Sequence, residues 1–145
     1  MRRNHMFRAL RCDKLVYGAL ETALRHTLFC DWDRLPALAM IAMSAETVRQ
    51  RAEAFCQKLD GVKAEVIPGL SVIGGGSTPD QALPTWLIAI ETDDVVAAEK
   101  SLRTGEPAIV ARIEDDRLIL DLRTVFAREE EALLTRVRGT CLPTY

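Results

Sequence analysis

Apolar residues recur every three or four positions between Lys14 and Phe29. Val16, Leu20, Ala23, Leu24 and Thr27 fall on one side of a predicted helix. Asp13 stands where an N-cap belongs, and Glu21 precedes Arg25 by four residues, the favourable order for an ion pair on a helix surface. A second helix is predicted from an N-cap at Ser44 to about Asp60. Its buried side is Val48, Ala52, Phe55 and Leu59, and Gly61 supplies a left-handed stop. Between the two, Asp31 to Pro36 is a polar connection, and the apolar piece Ala37 to Met43 fits more than one state.

From Val62 the period becomes two. Val62, Ala64, Val66 and Pro68 alternate with Lys63, Glu65 and Ile67, which predicts a strand. Gly69 to Pro84, with four glycines and two prolines, reads as a long irregular loop. Thr85 to Ile90 is an apolar run typical of a buried strand. Thr92 or Asp93 then caps a short helix carrying Val95, Ala98 and Leu102 on one face and ending at Gly105 and Pro107. In a hairpin, Ile109, Ala111 and Ile113 alternate, Glu114 to Asp116 turn, and Leu118, Leu120 and Leu122 alternate on the return. A last helix is predicted from about Arg128 to Arg138, with Leu133, Leu134 and Val137 on one face and Gly139 after it. Strands joined by short turns predict an α+β fold, a small mainly antiparallel sheet covered by helices. The 145 residues suit a single domain.

Composition narrows the class without naming a function. With 48% hydrophobic and 28% charged residues and a formal net charge of −2, the chain reads as an ordinary folded protein. No apolar run approaches the roughly 20 residues of a membrane helix; the longest, Leu35 to Met43, contains Pro36. Cys12, Cys30, Cys56 and Cys141 lack zinc-site spacing, and the start has no apolar signal core, so four reduced thiols in a cytoplasmic protein are expected. Only four of the 19 basic residues are lysine: Lys14, Lys58, Lys63 and Lys100. Near the start, Arg2, Arg3, Arg8, Arg11 and Lys14 face a single acid, Asp13. On composition alone this edge is a solvated helical face or an arginine-rich presequence sooner than an anion site.

Three features could carry chemistry. The run Gly74-Gly75-Gly76-Ser77 lets backbone N–H groups approach an anion, but it lacks the lysine and the spacing of a phosphate or dinucleotide loop, so a flexible turn is an equal reading. Arg8, Arg11, Arg112 and Arg123 could grip phosphate or carboxylate bidentately. For Arg112 the simpler reading is a rim ion pair with Asp121 or Glu114. The cysteines, with His5 and His26 far from most of them in sequence, read better as buried inert thiols than as nucleophiles, and Trp32 and Trp86 fit core or interface positions.

The same residues resemble a known family along nearly the whole chain. RALRCDK (Arg8 to Lys14) followed by LVYGALETALR is similar to the "RALRVDKLTLAALEATLR" segment of bacterial selenocysteine synthase, the L-seryl-tRNA(Sec) selenium transferases. Leu35-Pro36 keeps its place before the next helix. IPGLSVIGGGSTPDQALPTW resembles "VPGESQVGGGSLPGVELPSW", and ARIEDDRLILDLRTV resembles "GRVEDGRLLLDLRTV". Several motifs in order are far more specific than any one of them.

The resemblance implies a pyridoxal-phosphate enzyme of the aspartate-aminotransferase fold. Its large domain holds the cofactor on a lysine in a "GDKLLGGPQ" segment, and it converts seryl-tRNA(Sec) to selenocysteinyl-tRNA(Sec) with selenophosphate. The bacterial enzyme is a ring of dimers. The present sequence lacks "GDKLLGGPQ"; what it contains resembles the end of the interdomain helix plus the C-terminal small domain. A fragment, a split gene or a misplaced start codon would each produce such a chain, which alone is expected to be inactive. The resemblance also reverses the reading of the basic edge: Arg8 and Arg11 match arginines that hold a phosphate-like anion, and would share a face if that stretch is helical. Arg112, Arg123 and Gly74 to Ser77 receive no role from it. Cys12, where the family commonly has Val, is expected to pack. Exposed docking faces imply self-association. Alternatives are a stand-alone binding or oligomerisation module and the small domain of a related pyridoxal-phosphate enzyme.

Overall fold

The computed structural model describes residues 11–73 and 81–142. The chain divides into two compact units, Met1–Ala42 and Met43–Tyr145. In the first, helix α1 (Lys14–Leu28) starts as predicted: the Asp13 carboxylate accepts a hydrogen bond from the Val16 N–H at 2.9 Å. Arg25 Nη2 donates to Glu21 Oε1 at 2.8 Å. The helix closes in a Schellman turn. Asp31 N–H donates to His26 C=O at 2.9 Å and Cys30 N–H to Thr27 C=O at 3.2 Å. This places Cys30 at φ 57, a left-handed position usually given to glycine. His26 Nδ1 meets Asp31 Oδ2 at 3.0 Å across the same turn, a polar pair where this motif normally has an apolar contact. A 3₁₀ turn (Trp32–Arg34) leads into α2 (Pro36–Ala42), so the apolar piece is helical, with Pro36 at the first position where its missing N–H costs nothing.

The second unit opens with α3 (Ala45–Lys58), capped by Ser44 Oγ, which accepts from Thr47 N–H at 3.1 Å. Val48, Ala52, Phe55 and Leu59 are buried as the periodicity requires, and Gly61 lies at φ 80. Strands β1 (Ala64–Val72) and β2 (Ala82–Ile90) pair antiparallel from Ala64↔Ile90 to Val72↔Ala82. The expected loop from Gly69 to Pro84 is therefore mostly strand at both ends. Gly69 and Pro84 from that stretch, and Pro68 in the strand predicted before it, are accommodated by position. A Cβ on Gly69 would sit 2.3 Å from Leu87 Cδ1, so the missing side chain makes room for a neighbour. Pro68 sits on β1, the edge of a sheet ordered β1-β2-β4-β3, where a lost N–H is tolerated. Pro84 lies outside the stretch of β2, Ile88 to Ile90, that pairs with β4.

Helix α4 (Val95–Thr104) is capped by Asp94 rather than Thr92 or Asp93: its carboxylate accepts from Ala97 N–H at 2.8 Å. Starting at Val95 turns Val95, Ala98 and Leu102 inward together. The hairpin of β3 (Arg112–Glu114) and β4 (Arg117–Leu120) turns at Asp115 and Asp116, with φ 50 and 59, the left-handed pair of a type I′ turn. It is shorter than the alternation suggests. The chain leaves the sheet at Asp121 and forms a 3₁₀ turn (Leu122–Thr124) that buries Leu122 separately. After a second such turn (Ala127–Glu129), α5 (Glu130–Cys141) runs through Gly139, which is helical and not a stop. Ile88, Ile90, Leu118 and Leu120 meet Phe55, Leu102, Leu134 and Val137 in one core, with α3, α4 and α5 on that face. Ile67, Leu87, Ala89 and Ile119 cluster on the other. The α+β class and the antiparallel sheet are as predicted.

Candidate functional site

The second sheet face becomes polar toward the far end of the β1–β2 hairpin. Counting by two from Ile67 and Leu87 brings Ser71 and Thr85 to the same face, and both are buried. Asp121, where the chain leaves β4, gathers them. Its carboxylate accepts from Ser71 Oγ, from Thr85 Oγ1 at 3.2 Å and from the Arg123 N–H at 2.9 Å. The Arg123 side chain, 4% exposed, turns inward: Nη1 donates to Met43 C=O at 2.5 Å and Nη2 to Pro84 C=O at 2.8 Å. The second of these satisfies a carbonyl of β2 beyond the reach of β4. Asp121 and Arg123 thus join the start of α3, both hairpin strands and the exit of β4.

Arg51 is a second strut. Its Nη2 donates to Val125 C=O at 2.7 Å and to Glu130 Oε1 at 2.6 Å, and Nη1 reaches Met43 Sδ at 3.4 Å. Arginine suits both places because its rigid fork serves several acceptors at once. Neither guanidinium is displayed for a ligand.

The sequence-predicted site residues fare differently from one another. Arg8, His5 and the run Gly74 to Ser77 lie outside the described residues. Arg11 is exposed and stands before the helix, with Cys12 and Asp13 between it and α1, so the shared helical face does not extend to Arg11. Arg112, on the edge strand, pairs with Glu114, Nε to Oε1 at 3.4 Å, the simpler reading. Trp86 is half-buried beneath Arg49, whose guanidinium carbon lies 4.6 Å from the ring centre, and Trp32 is 39% exposed. The buried-thiol expectation holds for Cys141 and in part for Cys56; Cys12 and Cys30 are exposed. They flank α1 outside any packed layer, so Cys12 does not take the packing role expected of it. Burial pushes the Cys56 and Cys141 thiols above their ordinary value, which holds them in the unreactive form.

Asp121, Ser71 and Thr85 escaped the reading of single residues. Their signal was hydroxyls recurring at core-facing positions of apolar strands, together with an Asp two residues before a buried Arg.

A cleft of about 760 Å³ runs between the start of α4 and the end of α5, past Glu91, Asp93, Asp94, Ser101 and Thr140. Its one amine, Lys63, is 3.8 Å from Glu91 Oε2, so the cleft repels anions. Among the described residues no cluster of His, Cys, Asp and Glu suits a metal ion. All four lysines are exposed. A Schiff-base lysine needs a desolvated amine in an enclosed pocket, so the lysines of this chain do not fit pyridoxal phosphate.

The fold and its polar cluster define an α+β unit stiffened by arginine struts. The chain belongs to the L-seryl-tRNA selenium transferase family, whose model, described as "SelA: L-seryl-tRNA selenium transferase", matches residues 1–126. The L-seryl-tRNA(Sec) selenium transferase of Aquifex aeolicus is 37% identical over 131 residues, covering 87% of this chain and 29% of the relative. The namesake from Wolinella succinogenes is 32% identical over 92% of this chain and 30% of its own length. That from Solidesulfovibrio magneticus is 35% identical over 99% and 33%. The chain therefore spans about a third of the length of these curated relatives. No described helix is long and apolar enough to cross a membrane.

Proposed function

We propose that this chain supplies the C-terminal portion of an L-seryl-tRNA(Sec) selenium transferase, acting in the cytoplasm on seryl-tRNA(Sec) with selenophosphate. The match of the family model over residues 1–126, with its motifs in order, carries the reading. Residues 43–145 serve as the small domain of a pyridoxal-phosphate enzyme and α1 as the end of the interdomain helix. The cofactor, which supplies the electron sink for exchange at the seryl β-carbon, is held by the remaining two thirds of the complete enzyme. This chain contributes Arg8 and Arg11 as donors to a phosphate-like anion, where a guanidinium fork binds two oxygens at once.

Co-expression tests it. This chain is produced with the cofactor-binding portion of the Aquifex aeolicus relative in a host lacking its own transferase, and selenocysteinyl-tRNA(Sec) is measured. Formation that requires both polypeptides is the expected result; no product from a folded, co-purifying pair would overturn the reading. In that pair, Arg8→Ala and Arg11→Ala should each raise the selenophosphate concentration needed for half-maximal rate about tenfold or more. Unchanged dependence would remove both residues from the anion site.

A further inference from the structure

Two arginines on different elements reach back to one residue. Arg123 Nη1 donates to the Met43 carbonyl at 2.5 Å, and Arg51 Nη1 donates to the Met43 Sδ at 3.4 Å. Met43 is the first residue of the second unit and follows the last residue of α2. Only Met43 and Ser44 stand between α2 and α3. Short connections of this kind, at the ends of elements, are where chains absorb the torsional changes of a hinge.

Neither residue of this connection is loose. Ser44 is held locally: its Oγ accepts from Thr47 N–H at 3.1 Å, and its carbonyl accepts from Val48 N–H at 3.2 Å. Met43 is held from far along the chain. Arg123, 80 residues away, places its other amino group on Pro84 C=O in β2, and at 4% exposure its bond to the Met43 carbonyl is shielded from water. Arg51 spreads the rest of its fork over Val125 C=O and Glu130 at the start of α5. Met43 is thus tied to β2, to the exit of β4 and to α5 as well as to its own helix. The bonds restrain the Met43 carbonyl and side chain; the torsions before Met43 carry no such restraint.

We propose that Arg51 and Arg123 form a clamp that makes Met43 and Ser44 part of the rigid second unit, so that flexibility between the two units is confined to the bonds before Met43. The inference does not depend on the transferase reading, and every contact it uses lies within residues 43–145. Of the two arginines, Arg123 is the stronger anchor, because a carbonyl oxygen is a far better acceptor than a thioether sulfur. Arg51 holds the Met43 side chain and, through Glu130, ties the clamp to α5.

Nuclear spin relaxation of the full chain tests it. The Met43 carbonyl shares a peptide plane with the Ser44 N–H, so the order parameter of that N–H reports the Arg123 bond directly. It should be about 0.85, the value of rigid backbone, whereas a free connection gives less than about 0.6. Arg123→Met removes both donors and should lower it below about 0.6 while the Phe55 and Ile88 amides keep their values. Ser44→Ala removes only the local cap, a milder change, and should leave the same N–H near 0.85. Arg51→Met should leave the Ser44 N–H rigid and increase the mobility of the Met43 methyl group. A flexible Ser44 N–H in the unaltered chain would overturn the proposal. So would a fall below about 0.6 in Ser44→Ala, which would mean that the cap alone holds the connection, or no change in a folded Arg123→Met chain. An unchanged Met43 methyl in Arg51→Met would remove Arg51 from the clamp.

Discussion

Arg123 shows how much a single side chain can hold together. Its guanidinium serves backbone carbonyls from two segments far apart in sequence, while its own N–H anchors Asp121. Arg123→Ala leaves those carbonyls without their donor in a buried site and should cost about 3 kcal/mol, read as a lower urea midpoint at unchanged slope. Lysine should rescue little, since one ammonium cannot span both acceptors. The thiols make a second residue-scale prediction. Cys56 and Cys141 have folded-state values raised above 9.0 by burial. Below pH 9 both folded and unfolded thiols are protonated and the stability is intact. Above it the unfolded chain loses its protons first, so stability should fall as pH rises from 9 through the folded values. Urea melts between pH 8 and 10.5 should show that decline, reduced in a Cys56→Ala, Cys141→Ala chain. Maleimide labelling of the native chain should reach Cys12 and Cys30 first.

Among the elements, two glycines that look alike in sequence should behave oppositely. Gly69→Ala drives a methyl into Leu87 within β1 and should destabilise by about 1–3 kcal/mol. Gly18, inside α1, has nothing within 4 Å of where a methyl would stand, and should gain about 1 kcal/mol of local helix stability as alanine. Thermal melts and amide exchange of α1 distinguish the two. Elements whose apolar spacing was unbroken could be read from sequence: α1, α3 and the inward face of α4, down to the caps Asp13 and Ser44. Legibility failed where a breaker residue had a tertiary reason to be present. Gly69 and Pro84 looked like loop punctuation, yet they sit in strands because of Leu87 and of the sheet order, neither of which is a local property. Gly139 misled in the same way. The candidate site was less legible still. Arg8 and Arg11 stood out from the other candidate arginines only through the family motif, while Arg123, a candidate anion-binding arginine in sequence, proved to be an internal strut because its acceptors lie 39 and 80 residues away.

Taken whole, the molecule keeps its principal apolar core within residues 43–145. A chain beginning at Met43 should therefore retain a single cooperative unfolding transition, tested by near-ultraviolet circular dichroism and urea denaturation; loss of cooperativity would mean that the first unit contributes to that core. The sheet order has a kinetic consequence. β1 and β2 are neighbours in sequence and pair over nine positions, whereas β4 reaches β2 only after α4 and β3 have been made. Closing the short loop first costs the least chain entropy, so the β1–β2 hairpin with α3 laid across it is the natural nucleus. The later hairpin then docks on a surface already formed. Substitutions at Ile88 should slow folding, while those at Leu118 should chiefly hasten unfolding.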